Sequence, residues 1–465
     1  GVDTDCGGVY QTNALDALQQ GILTEGEIDK ALVNIFTIRM RMGEFDPREI
    51  VPYTGIKPAI INDPSHNDLA LEVATKTPVL LKNSTVIKTG NKALPIDLKN
   101  VKKIAVLGPQ ADKVELGDYS GEVEPHLSIS PLEGIQNYIR EHNLNTEIVS
   151  LVTGNTDRNT DFINVTGFST VRNGEVLKEY DATKFVSSAP GLIVASRFGR
   201  TSISGIKDGD WTAYDNVDIT GVDSIRFNMS SSADGGILEV RVGSAAGNML
   251  ASEKISTPQQ GGGFPGFARA RLVPVKINTL GITGPQTLVL VYREAAGKEI
   301  DPATLNLAAG CDVALVFVGT DQSTGREESD RFALTLPGNQ NELIKAVAAV
   351  NPNTIVVMQT MGMVEVEQFK NLADVTGIIW TGYNGQAQGT AMAKILFGDI
   401  NPGGKLNVTW HKSLNDLPEF NNYTLRGDGT NGRTYMYFSK DVSYEFGYGL
   451  SYTTFGYSNF AISKS

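Results

Sequence analysis

The chain has 465 residues, a length that at roughly 100 to 200 residues per domain argues for two to four domains. Lys+Arg 40 against Asp+Glu 52 leave a formal charge of −12, which argues against a nucleic-acid binder, whose phosphate contacts need a basic face. At 41% hydrophobic and 20% charged residues the chain can bury a core, yet apolar runs such as Val313 to Val318 fall far short of the about 18 residues of a membrane span; neither nucleic acid nor membrane is an expected partner.

From about residue 13 to 42 apolar residues recur three and four apart, with Leu15, Leu18 and Ile22, then Ile28, Leu32, Ile35, Phe36 and Met40. This spacing predicts two helices joined near Gly21 to Gly26. Thr24 with Glu27 three residues on is a capping box before the second run, and Gly43 is a stop after Met42. The stretch has an apolar face without a core of its own, so it must pack on something else.

Short β-branched runs follow, each ending in small or polar residues: Lys103 to Leu107, Glu147 to Val152, Val313 to Val318, Thr354 to Met358 and Gly377 to Trp380. Helical stretches separate several of them, as at Asn341 to Val350 with Leu343, Ile344 and Val347 on one face. Strands apolar throughout and alternating with helices imply an α/β fold, a mostly parallel sheet covered on both faces, with its sites at the C-terminal strand ends. Between about 165 and 300 helical periodicity disappears and alternating segments appear at Asp223 to Met229, Gly236 to Val242 and Thr287 to Arg293. That texture reads as an all-β sandwich inserted between two strands of the sheet.

The densest polar constellation, Asp321 to Arg331, follows the strand ending at Val318 and contains Glu327-Glu328-Ser329-Asp330-Arg331. A carboxylic acid on such a loop can act as a general acid, and glycoside hydrolysis pairs one with a second carboxylate. Read from charge alone, the loop fits a solvated acidic surface better than a catalytic loop. Cys6 and Cys311 form no CxxC and lack nearby histidines, His66, His126, His142 and His411 are scattered, and no phosphate-binding glycine pattern follows Gly108-Pro109-Gln110. No metal or cofactor is expected.

Gly1-Val2-Asp3-Thr4-Asp5-Cys6-Gly7-Gly8 resembles the segment that closes the catalytic barrel of family 3 glycoside hydrolases, in particular their β-xylosidase branch. Leu80-Leu81-Lys82-Asn83 before Leu94-Pro95, Gly117-Asp118-Tyr119-Ser120-Gly121, Leu396-Phe397-Gly398-Asp399 with Asn401-Pro402-Gly403-Gly404, and Phe446-Gly447-Tyr448-Gly449-Leu450-Ser451-Tyr452 are similar, in order, to signatures of that family's second domain. Asn407 departs from the proline usual there after Lys/Arg-Leu. The resemblance implies the last helices of a (β/α)8 barrel and a linker at 1–50, and an α/β sandwich domain at 51–160 and 301–440. It further implies an inserted β-sandwich at 161–300 and a linker toward a fibronectin-like domain at 441–465.

The family's acid/base sits on a loop of the form Glu-x-x-Asp-Arg, which assigns Glu327 that role with Glu328 in reserve. The family's nucleophilic aspartate belongs to a Ser-Asp-Cys or Ser-Asp-Trp motif that does not occur here, so the expected partner is an upstream barrel segment supplying it. Asp3 and Asp5 do not match the nucleophile and read as structural. The implied activity is that of a retaining exo-β-glycosidase on an oligosaccharide substrate, first a β-xylosidase on xylooligosaccharides and second a β-glucosidase, secreted or periplasmic, with a homodimer as a further expectation. Lys207 to Tyr214, Gly235 to Val240 and Gly284 to Leu290 resemble a family 6 carbohydrate-binding module. Sugars stack on aromatic rings, which makes Trp211, Tyr214, Phe264 and Phe267 substrate-binding candidates, although Trp211 and Tyr214 fit a sandwich core as well. Tyr119 is a candidate for lining the sugar pocket.

Overall fold

A computed structural model describes residues 2–121, 123–152, 164–190, 192–197, 200–204, 206, 209–230, 236–255, 271–294, 300–322, 324–325, 331, 334–418, 422–427 and 432–463. The chain divides into two compact units, Gly1–Asn67 and Asp68–Ser465.

In the first unit α1 (Val9–Gln19) and α2 (Glu25–Arg41) follow the 3.6-residue pattern. Thr24 and Glu27 form the reciprocal capping box, with Thr24 N–H donating to Glu27 Oε2 at 2.9 Å. Gly43 takes φ +76°, which lets the chain leave α2. Neither helix has a fully buried residue, and Leu15, Ile22, Leu32 and Phe36 stand exposed. Asp3 Oδ2 accepts from Asn34 Nδ2 at 3.0 Å and Asp5 Oδ2 from Tyr10 N–H at 3.2 Å, so both carboxylates brace this unit.

After α3 (Pro64–Lys76) come β1 (Val79–Asn83), β2 (Lys103–Leu107), α4 (Pro131–Glu141) and β3 (Glu147–Leu151). Among the described residues eleven antiparallel strands then run from β4 (Asn164–Arg172), β5 (Glu175–Asp181), β6 (Ser187–Ser188), β7 (Ile193–Arg197), β8 (Arg200–Ser204) and β9 (Trp211–Asp218) to β10 (Ser224–Ser230), β11 (Gly236–Val242), β12 (Asn248–Ile255), β13 (Arg271–Lys276) and β14 (Pro285–Glu294). The α/β pattern resumes with α5 (Pro302–Ala309), β15 (Val313–Gly319), α6 (Gln340–Val350), β16 (Thr354–Gln359), β17 (Val375–Thr381), α7 (Gln388–Leu396) and the short α8 (Thr434–Tyr437).

The main sheet has the order β1-β17-β16-β15-β2-β3. All neighbours run parallel except β1, which pairs antiparallel with β17. β15 and β16 are buried along their whole length, as strands covered on both faces must be. Alternate residues feed two cores: Ala314, Val316 and Val318 meet Leu343, Ile344 and Val347 of α6, while Val313, Leu315 and Phe317 meet Ile135 of α4 and Ile395 of α7. Nine of the antiparallel strands form sheets β13-β10-β4-β5 and β12-β11-β14-β9-β6 over a shared core that includes Phe168, Phe227, Leu238 and Leu290, and β7 and β8 pair as a separate two-stranded sheet. Their place in the chain between β3 and β15 makes them an insertion into the α/β fold.

Candidate active site at the strand ends

The parallel register brings the C-terminal ends of β2, β15, β16 and β17 to one edge of the sheet. Gly108, directly after β2, has φ +98°, and a Cβ there would lie 2.2 Å from the Phe317 carbonyl oxygen. The loop from β2 therefore crosses against the end of β15, where Gln110 N–H donates to Phe317 O at 3.3 Å and its Nε2 to Thr320 O at 3.1 Å. A second crossing runs from Gln322 Nε2 to Gly117 O at 2.8 Å. Gln340, at the start of α6, accepts from Gly319 N–H at 2.7 Å and donates to Gly319 O at 3.0 Å, which fixes the exit of β15. Thr320 Oγ1 lies 2.9 Å from the Tyr383 hydroxyl and accepts from Met361 N–H at 3.0 Å. Loops from four adjacent strands are thus bonded into one rim.

Ionisable groups converge on this rim. Glu115 is half-buried, and among the described residues its carboxylate makes no hydrogen bond or ion pair. Burial and the charge of Asp321 push its pKa above the ordinary carboxylate value, partly offset by Lys113. Burial likewise raises the Tyr383 phenol, with Glu115 and Asp321 adding to the effect. Arg331 donates from Nη1 to Met363 O at 3.0 Å, and its burial lowers the guanidinium pKa. A Cβ on Gly325 would lie 2.9 Å from Arg331 Cγ and 3.0 Å from Met361 Sδ, so the two ends of the segment between Gly325 and Arg331 are held close together beside the loop after β16. A carboxyl whose proton is held more tightly because of burial and a neighbouring charge is suited to proton transfer or to hydroxyl recognition.

Glu327 and Glu328 lie outside the described residues, as do Phe264 and Phe267. Tyr119 sits on the loop after β2 with φ +57° and is 88% exposed. Trp211 is half-buried on β9, facing away from the sandwich core and packed against Ala213, Val289 and Val291. Tyr214 corrects one expectation. Its ring is 4% exposed and meets Phe168 edge-on at 5.0 Å, and its hydroxyl donates to Ala182 O at 2.7 Å. It is a core residue with no face left for a sugar. Alternation along β9 decides this, since Thr212 and Tyr214 point inward and Trp211 and Ala213 outward.

The sequence profile of the glycosyl hydrolase family 3 C-terminal domain matches residues 78–452. The chain belongs to glycoside hydrolase family 3. This family 3 chain is 28% identical to β-D-xylosidase 1 of Arabidopsis thaliana over 464 residues, covering 98% of the chain and 40% of the relative. It is also 28% identical to the xylan 1,4-β-xylosidase of Xylanibacter ruminicola, covering 98% of the chain and 52% of that relative. Among solved structures, a family 3 exo-β-xylosidase in complex with a xylobiose aziridine probe aligns with TM-score 0.58 at 22% identity, over 98% of this chain and 40% of that one. The chain therefore spans about half or less of the length of the relatives it matches. In this family 3 domain, Glu115 and Tyr383 at the rim were not singled out by sequence reasoning. The available signal was their position, each within a loop that follows a parallel strand.

Proposed function

We propose that this chain is the acid/base-bearing part of a retaining exo-β-glycosidase acting on xylooligosaccharides. Glu327 is the acid/base and Glu328 the reserve. One observation carries the reading. The Glu-x-x-Asp-Arg motif falls in a chain with a family 3 match, on the segment whose flanking residues Gly325 and Arg331 meet at the strand-end rim.

In this mechanism protonated Glu327 gives its proton to the glycosidic oxygen while an aspartate of a barrel segment attacks the anomeric carbon, releasing the leaving sugar and forming a glycosyl-enzyme. Glu327 then takes a proton from the water that attacks the same carbon, which frees the sugar and restores both carboxyl groups. The two carboxyls need a separation of about 5 to 5.5 Å. Xylose is favoured over glucose because the curated relatives above are named xylosidases; β-glucosidase is the alternative.

The domain organisation goes with this reading: a barrel remnant at 1–50, the acid/base domain at 51–160 and 301–440, the inserted sandwich at 161–300 and a linker at 441–465. A secreted or periplasmic location suits a polymer-derived substrate; among the described residues no helix is long and apolar enough to cross a membrane. The test is the chain co-expressed with a family 3 barrel segment. Aryl β-xyloside should be hydrolysed faster than aryl β-glucoside, and Glu327→Ala should slow turnover strongly. A near-normal rate would move the role to Glu328 or elsewhere.

A second reading concerns the inserted sandwich as a carbohydrate-binding module. Trp211 supports it, being an aromatic ring outside the core on a sheet face. Calorimetry with xylooligosaccharides tests it, and no heat at millimolar sugar would end it.

A further inference from the structure

The rim holds a carboxylate that the double displacement does not use. Glu115 lies on the loop after β2, half-buried, with no hydrogen-bond or ion-pair partner among the described residues. Leaving such a group unpaired costs stability, so its surroundings have meaning. Gln322, next to Asp321, ties the Glu115 loop to the β15 loop through Gly117 O at 2.8 Å, a Cβ on Gly117 would lie 3.4 Å from Tyr383 Cδ2, and the Tyr383 hydroxyl meets Thr320 at 2.9 Å, so Asp321 and Tyr383 stand beside the loop that carries Glu115. At the same crossing the Gln110 side-chain oxygen, buried to 2% exposure, also lacks a partner among the described residues, while its Nε2 bonds Thr320 O. Of the two, only the half-buried Glu115 carboxylate is within a ligand's reach, and it stands beside a phenol hydroxyl.

A matching ligand must supply several O–H donors and carry no charge. An anion would be repelled by Glu115 and Asp321. Lys113, whose charge acts on Glu115, and Arg331, whose charge acts on Tyr383, weigh against a cation. A neutral sugar satisfies both conditions. In the proposed mechanism the acid/base stands on the leaving-group side of the scissile bond, and the loop that carries it ends at Arg331, whose charge acts on Tyr383. We infer that Glu115, with Asp321 and the Tyr383 hydroxyl, holds the hydroxyls of the leaving-group sugar, so that Glu115 selects oligosaccharide over hydroxyl-free aryl leaving groups.

This rests on the glycosidase reading for its kinetic test and only on sugar binding for a second test. In the chain co-expressed with a barrel segment, Glu115→Gln should lower kcat/KM for xylobiose about tenfold or more, as expected when a charged acceptor loses its donors. The aryl xyloside should change by less than about twofold, because its leaving group has nothing for Glu115 to hold. Asp321→Asn should follow the same pattern. Equal losses on both substrates, or no loss on either, would overturn the assignment.

The second test needs no turnover. With carbon-13 labelled glutamate in the chain assembled with a barrel segment whose nucleophilic aspartate is replaced by asparagine, the Glu115 carboxyl titration is followed by NMR with and without millimolar xylobiose, the Glu115→Gln variant assigning the resonance. Hydroxyls donating to the carboxylate favour its ionised form, so xylobiose should move the Glu115 titration to lower pH. No movement would overturn the proposal. If the assembled enzyme hydrolyses neither substrate, the glycosidase reading falls, and the titration alone decides the sugar-holding role.

Discussion

Glu115 has a consequence for stability as well as for recognition. Its folded pKa is raised above the ordinary 4.5 by burial and by Asp321, so the native state binds the proton more tightly than the unfolded state. Its contribution is fully present below about pH 4.5 and is lost as pH rises through the raised folded value. Glu115→Gln should therefore raise the melting temperature at neutral pH, with the gain vanishing on acidification; thermal melts across pH check this, and a pH-independent difference would contradict it. On β9 the two aromatic residues should separate in the same way. Tyr214→Phe leaves Ala182 O without its donor and should cost about 1–3 kcal/mol of stability in chemical denaturation. Trp211→Ala should leave the core intact and abolish any xylooligosaccharide heat seen by calorimetry. The resemblance of their segment to a carbohydrate-binding module made both rings candidates alike. Only the alternation relative to Thr212 and Ala213, once β9 was placed in its sheet, assigned one inward and one outward.

At the level of elements, close approach decides which substitutions the fold tolerates. α4 and α7 meet backbone to backbone, since a Cβ on Gly134 would lie 2.2 Å from the Gly389 carbonyl. Gly134→Ala should force the helices apart and cost about 1–3 kcal/mol or more, measured by urea denaturation; an unchanged midpoint would show that the pair can slide. The five parallel strands were legible because each is a short, mainly apolar run followed by a loop or helix, and residues 103–107 of β2 and 236–242 of antiparallel β11 match their strands end to end. β1 was not legible as a strand. Its five residues carry no alternation, and its antiparallel direction comes from pairing with β17, with a register shift between Leu80 and Lys82. Lys82 reaches from it to the carbonyls of Lys370 and Leu372 at 2.8 and 2.9 Å, contacts almost 290 residues away in sequence. The rim was legible only as a place. Parallel strands pointed to their C-terminal ends, but the meeting of Glu115, Asp321 and Tyr383 depends on the crossings made by Gln110 and Gln322, which no local pattern encodes.

For the whole molecule, the double displacement requires a nucleophile and an acid/base, and the residues of this chain match the family motif for only one of them. The 465 residues alone should give no significant glycosidase turnover, since general acid assistance alone contributes about 10²–10⁴-fold. The exposed Leu15, Leu32 and Phe36 of α1 and α2, with Ile22 between the helices, should make the lone chain bind apolar dyes and aggregate, which light scattering would register; a monodisperse, dye-silent chain would contradict this. The most direct test of the acid/base assignment is azide rescue of Glu327→Ala in the chain co-expressed with a barrel segment, using an aryl β-xyloside with a good leaving group. The leaving group departs without the acid, the glycosyl-enzyme accumulates, and azide attacks it without needing a base. Azide should restore a large part of the rate and yield the β-xylosyl azide, with retained configuration. A variant that turns over near the unsubstituted rate, or that azide neither accelerates nor converts to the glycosyl azide, would contradict the account.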